Sequence, residues 1–172
     1  MRKRVLNIDI DYDFALIGIC CQAEDYRLCW EINKILEIEL ERRDDITIYP
    51  ANKSRTRKAE EEKNAYSSYF YKDEEIKTSF TLISNKPIHN SRQMTGEKLQ
   101  AETNCSSLWE KSTRRMLIPE QKKTDYFLMI KGSIKEKAKS NIVKKIKNIL
   151  FVFMVYEIDP DKLKSKQELL FF

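Results

Sequence analysis

Apolar residues recur along this chain with periods that change several times, and each change marks an element. Tyr126-Phe127-Leu128-Met129-Ile130 is uninterruptedly apolar, which predicts a strand buried on both faces. Just upstream, Pro119 has φ held at roughly −65° and biases Ile118 toward extended backbone. Glu120 to Asp125 is then a charged surface turn, or a single helical turn, leading into the strand. Near the start, Leu6, Ile8 and Ile10 alternate with Val5, Asn7 and Asp9, predicting a short edge strand. Asp11 to Asp13 turns the chain into a mostly apolar strand, Phe14 to Cys20. Leu28, Cys29, Ile32, Ile35 and Leu36 then fall on one side of a helix over about 24–37. Glu24 and Asp25 stand at its start, where acid favours the helix dipole.

Beyond that helix, Ile38 and Leu40 alternate with Glu37, Glu39 and Glu41, predicting a strand. Asp44-Asp45 turns it, and Ile46 to Tyr49 reads as another strand before Pro50. Asn52 to Lys63 is a charged connection. Tyr66 to Tyr71 and Ile76 to Ser84 predict a hairpin turning at Asp73-Glu74, with Ile76, Thr78, Phe80 and Leu82 inward. A long polar insertion follows at about 85–117. It holds His89 and is expected to be partly helical near 96–110 or mobile, anchored by Leu108 and Trp109. Ser133 and Glu136 have the spacing of a capping box. A helix with Ile134, Ala138, Ile142, Ile146 and Ile149 on one side is expected from there, then a strand from Leu150 to Ile158. Asp159-Pro160 opens a turn, and Leu163 to Phe172 is an apolar-anchored tail.

The order of elements repeats. Asp13-Phe14-Ala15-Leu16 and Asp125-Tyr126-Phe127-Leu128 each open a strand that runs into a helix and then into another strand. Two such units with antiparallel hairpins between them predict a single α+β domain. The expected architecture is a ferredoxin-like αβ plait, a mainly antiparallel sheet with two helices packed on one face.

Ile118, Pro119, Glu120, Asp125 and Tyr126 also carry a resemblance. They match the named positions of the uncharacterised bacterial IPExxxVDY family, with Thr124 standing where that family has Val. Asp25-Tyr26-Arg27-Leu28-Cys29-Trp30 with Asn33, and Leu163 to Lys166 with Leu169-Leu170-Phe171, are similar to it as well. The resemblance spans nearly the whole chain apart from its polar middle and implies no activity.

Charge adds a polarity. Residues 1–50 carry 7 basic and 11 acidic side chains, 51–115 carry 13 and 9, and 116–172 carry 12 and 7. The molecule is expected to have an acidic end and a lysine-rich end. The basic N-terminus runs into aspartates and not into an apolar stretch, so no signal peptide is read. With that, Cys20, Cys21, Cys29 and Cys105 point to reduced thiols and a cytoplasmic protein. No cysteine pair has zinc spacing, and three glycines make no phosphate loop. No metal, cofactor or membrane partner is expected.

Three groups of side chains are candidates for function. Glu120 and Asp125 are a carboxylate pair, which would serve acid–base chemistry only in a pocket with shifted pKa values. The expected role is structural, Glu120 starting a helical turn behind Pro119 or pairing with a basic residue, and Asp125 capping the turn before the strand. Asp25, Tyr26, Arg27, Trp30 and Asn33 combine the residue types of interaction hot spots, and Tyr126, beside Asp125 in the other motif, is a further candidate for an interaction or structural role. The structural alternative packs Tyr26 and Trp30 under the long insertion and pairs Arg27 with a carboxylate such as Glu120. Lys137, Lys144 and Lys147, with Lys162, Lys164 and Lys166, form a candidate anion-binding surface for phosphate or RNA, or else a solvated face. Stacking on RNA would further require exposed aromatics. The leading expectation is a non-catalytic module that binds a protein partner or itself. The alternatives are an RNA-associated accessory protein and a small-ligand sensor or enzyme with an unfamiliar site.

Overall fold

A computed structural model describes residues 14–48, 64–88, 115–132 and 134–164. The expected strand Val5 to Ile10, the connection from Asn52, His89, Leu108, Trp109, Ser133 and the tail from 165 lie outside these residues.

The elements in order are β1 (Phe14–Cys21), α1 (Asp25–Leu36), β2 (Glu41–Arg42), β3 (Ile46–Ile48), β4 (Asn64–Tyr66), β5 (Ser68–Asp73), β6 (Thr78–Ser84), β7 (Tyr126–Lys131), α2 (Glu136–Lys147) and β8 (Val152–Ile158). A 3-10 turn at Pro160–Lys162 follows. The protein is α+β. Six strands form an antiparallel sheet in the order β2-β5-β6-β7-β1-β8, and β3 pairs β4 in a separate ribbon.

β7 lies in the interior of the sheet between β6 and β1, and both of its faces are covered, which explains its unbroken apolar run. Leu128 and Ile130 join a cluster with Ile17 and Ile19 of β1, Leu28 and Ile32 of α1, and Ile146 and Ile149 at the end of α2. Phe127 and Met129, on the alternate positions, join a second cluster with Leu16, Ile83, Leu117, Ile118 and Leu163. The four β7 side chains from Phe127 to Ile130 are fully buried, each contributing roughly 1.5–3 kcal/mol of transfer free energy.

α1 ends where Glu37 turns left-handed, with φ 58°. A non-glycine residue there costs stability, and Asn33 offsets it. The Asn33 side chain accepts from Leu40 N at 2.9 Å and donates to Leu40 O at 3.2 Å. Lys145 Nζ donates to Ile35 O at 3.1 Å, placing a cation at the carboxyl end of α1.

Several expectations need correction. Ile38 to Leu40 is not a strand, because Asn33 takes the Leu40 backbone groups that a ladder would use; only Glu41–Arg42 pair. Tyr66 to Tyr71 is not one strand either. Tyr66 belongs to β4 and pairs with Ile46, whereas β5 starts at Ser68 and joins the large sheet. The β5–β6 turn takes residues 74–77, so Ile76 sits in the turn, 60% exposed, while Thr78, Phe80 and Leu82 are buried. α2 starts at Glu136 after Lys135, whose side chain makes no capping hydrogen bond, and Glu136 pairs with Lys139 at 2.7 Å; the expected cap, Ser133, lies outside the described residues. Ala138 is exposed, and the apolar side of the helix is carried by Ile142, Val143 and Ile146. β8 starts at Val152, leaving Leu150 in the preceding turn.

Candidate interaction surfaces

Two surfaces gather the residues singled out in the sequence, and a third adds to them. The first is a cleft of about 570 Å³ where the end of β1 and the start of α1 meet the start of β7. Glu24, Asp25, Ser84, Lys86, Asp125 and Tyr126 are among its walls. Two of the motif stretches, a hundred residues apart in the chain, therefore converge here. Asp125 holds the junction: Oδ2 accepts from Cys21 N at 2.9 Å and Oδ1 from Lys86 Nζ at 2.5 Å. Tyr126 donates its hydroxyl to Ala23 O at 2.8 Å. Burial, and then the negative charges around it, hold the Tyr126 hydroxyl well above the usual tyrosine range. Tyr69 is pushed up to about 12 by burial first and then by the charge of Asp25. Burial also raises the Cys21 thiol to about 11, so the thiolate needed for nucleophilic attack is scarce at neutral pH.

Glu120 does not line this cleft; it is exposed on the turn. Arg27 is not there either. Its guanidinium lies 5.0 Å from the centre of the Phe151 ring, and it lines a separate groove of about 250 Å³ with Glu31, Lys145 and Leu150. Glu120 and Asp125 thus form no acid–base pair across a common site. What fixes the turn is Asn85, which the sequence reading passed over. It is fully buried and donates to Gln121 O at 3.0 Å and Thr124 O at 2.8 Å, while accepting from Ile118 N at 2.8 Å.

The second surface is the outer side of the helices. Tyr26 is 67% and Trp30 60% exposed, with Lys34 Nζ 5.2 Å from the Trp30 ring centre. Asn33, expected on the same stripe, turns inward to Leu40, and Asp25 faces the cleft. Lys137, Lys144 and Lys147 are exposed on α2, and Lys164 is exposed after the 3-10 turn. Lys162 pairs with Asp159 at 3.2 Å, and Lys166 lies outside the described residues.

The third surface was not anticipated. β8 is the last strand of its sheet, and among the described residues no strand pairs with its outer side. Leu150 is 99%, Phe153 65% and Met154 52% exposed. An apolar strand read from sequence looks the same whether it lies at the centre or at the rim, so periodicity alone could not separate β8 from β7.

No protein-family model matches the chain, and no curated protein is significantly similar to it. Among the described residues no group of three or more His, Cys, Asp or Glu side chains is placed to hold a metal ion, and no helix is long and apolar enough to cross a membrane.

Proposed function

We propose that this protein is a non-catalytic association module that pairs with a second copy of itself, or with another protein, along β8. The observation that carries the reading is the apolar rim formed by Phe153 and Met154 on β8, with Leu150 in the turn before it, at an edge that no other strand covers among the described residues. Proteins blunt such edges with lysine, proline or a covering element. β8 has neither of these residues, and Glu157 is its only charge. Its backbone can extend the sheet of a partner, with Phe153 and Met154 supplying apolar contact on opposite faces.

The supporting frame is a widened ferredoxin-like plait. The strands β8-β1-β7-β6 stand in the order expected of that fold, with a helix after β1 and another after β7, and β5 and β2 broaden the sheet beyond β6. The convergence of Asp25, Asp125 and Tyr126 at one cleft supports membership of the IPExxxVDY family, in which those residues would maintain the fold. Light scattering coupled to size exclusion tests the function. The expected result is a dimer, or capture of one stoichiometric partner, that Met154→Lys and Phe153→Lys abolish without lowering the melting temperature. A strict monomer that retains no partner, or a complex indifferent to both substitutions, sinks the reading.

A further inference from the structure

We infer that the outer side of the helices is a binding surface for single-stranded nucleic acid, carried by observations independent of the β8 edge. From Lys135 to Lys147 the chain has six lysines and one acid, Glu136. Lys139 engages that acid and Lys145 is used to fasten α2 to the end of α1. Lys137, Lys144 and Lys147 remain exposed, and no other ion pair is seen for them among the described residues.

Lysines alone make only a solvated face. What distinguishes this surface is the neighbouring helix. Tyr26 and Trp30 present large rings to solvent, 67% and 60% exposed, and cations accompany them, Lys34 over Trp30 at 5.2 Å and Arg27 beside them over Phe151. Arg27 and Lys145 line opposite sides of a groove between the two helices, with Glu31 on the α1 side, so the helix that carries Tyr26 and Trp30 lies beside the helix that carries the lysines. Ammonium groups neutralise backbone phosphates, and exposed rings stack on bases that are free of a partner strand. Bases in a duplex are stacked on one another and offer no such face, which makes the single strand the matching ligand.

A 20-nucleotide oligouridylate, the matching oligothymidylate and a duplex of equal length are the probes, titrated onto the full chain carrying Trp109→Phe so that fluorescence reports Trp30. The expected result is quenching of Trp30 by both single strands, with weaker binding to the duplex. Lys137→Glu, Lys144→Glu and Lys147→Glu together should abolish binding. Each single charge removal should lower the slope of log affinity against log salt by about 0.7. Tyr26→Ala with Trp30→Ala, which removes the reporter and is therefore followed by the anisotropy of a fluorescein-labelled strand, should weaken binding about tenfold with an unchanged salt slope, as expected for stacking. Because these side chains are exposed, circular dichroism and melting should be unaltered. Preference for one single strand over the other identifies the sugar that is recognised. The proposal is overturned by absence of binding at low salt, by equal affinity for the duplex with no effect of the aromatic substitutions, or by binding to phosphatidylserine vesicles without binding to either oligonucleotide.

Discussion

Asn85 Oδ1 accepts the backbone N–H of Ile118 at 2.8 Å, tying the residue after β6 to the proline-stiffened turn that leads into β7. The same side chain donates to Gln121 O and Thr124 O, and the Asn85 backbone accepts from Leu117 N and donates to Asp125 O. One buried amide thus organises the turn from both ends. Asn85→Ala leaves Ile118 N and Thr124 O without their partner, each costing about 1–3 kcal/mol, whereas Gln121 O keeps the Thr124 N–H. Urea unfolding should show a loss of about 2 kcal/mol or more. Asn85→Asp removes both donors and places a carboxylate against two carbonyls. Its deficit should shrink as pH falls, when the carboxyl regains a proton and can donate. A neutral effect of Asn85→Ala would refute the role.

Asp125 secures the neighbouring joint by accepting Cys21 N and Lys86 Nζ. Its side chain is only 19% exposed, so loss of the carboxylate is felt more than at a surface ion pair. Asp125→Ala should lower stability by about 1–3 kcal/mol. Asp125→Asn keeps one acceptor for Cys21 N and should lose less. Lys86→Met removes only the exposed partner, 60% exposed, and should cost under about 1 kcal/mol. Melting temperatures of the three variants rank the contributions, and an equal cost for Lys86→Met and Asp125→Ala would contradict the assignment.

How far these joints were visible in the sequence follows from what periodicity reports. β7 and α1 were readable because one is apolar throughout and the other repeats with helical spacing, and both patterns reflect burial directly. Asn85 was hidden because a lone amide in a polar stretch looks like loop; its importance comes from carbonyls more than thirty residues away. The break at Ser67 was hidden for a related reason. Strand alternation says which side chains are apolar but not that Tyr66 and Ser68 belong to different sheets. At α2 the capping spacing of Ser133 and Glu136 was present, yet the helix starts only at Glu136 with Lys135 as its N-cap. The residue types of the candidate surfaces were legible, since Tyr26, Trp30 and the lysines are exposed. Their grouping was not, because Asn33 and Asp25 turn away to structural partners.

Gly18 in the middle of β1 allows a close crossing. A Cβ there would stand 2.9 Å from Ile158 Cδ1, 3.1 Å from Tyr156 Cζ and 3.3 Å from Thr124 Cγ2. The Tyr156 hydroxyl meets Thr124 Oγ1 beside it and reaches Gln121 Oε1 at 3.2 Å. Tyr156 therefore lies where a larger residue at 18 would push it. Gly18→Val should destabilise by about 1–3 kcal/mol through overpacking, and Gly18→Ala by less. Gly18→Val combined with Tyr156→Ala should recover part of the loss, whereas strictly additive costs would argue against the clash.

Alkaline pH should unfold the protein through its buried acids. Cys21 and Cys29 are raised from 9.0 to about 11 by burial first, Tyr69 from 10.0 to about 12, and Tyr126 is raised further. These groups are neutral in the fold and ionise more easily once exposed, so the unfolded state holds fewer protons above their ordinary pKa values. Stability then falls as pH rises. For the cysteines the loss begins near 9 and stops growing near 11; for Tyr69 it runs from about 10 to about 12. Urea midpoints should hardly change between pH 7 and 8.5 and should drop progressively from pH 9 upward. Cys29→Ala removes one titrating group and should flatten the first part of that decline, while also costing packing that is independent of pH. A midpoint that rises between pH 9 and 11, or a decline unchanged in slope by Cys29→Ala, would contradict the assignment of these thiols as buried and neutral.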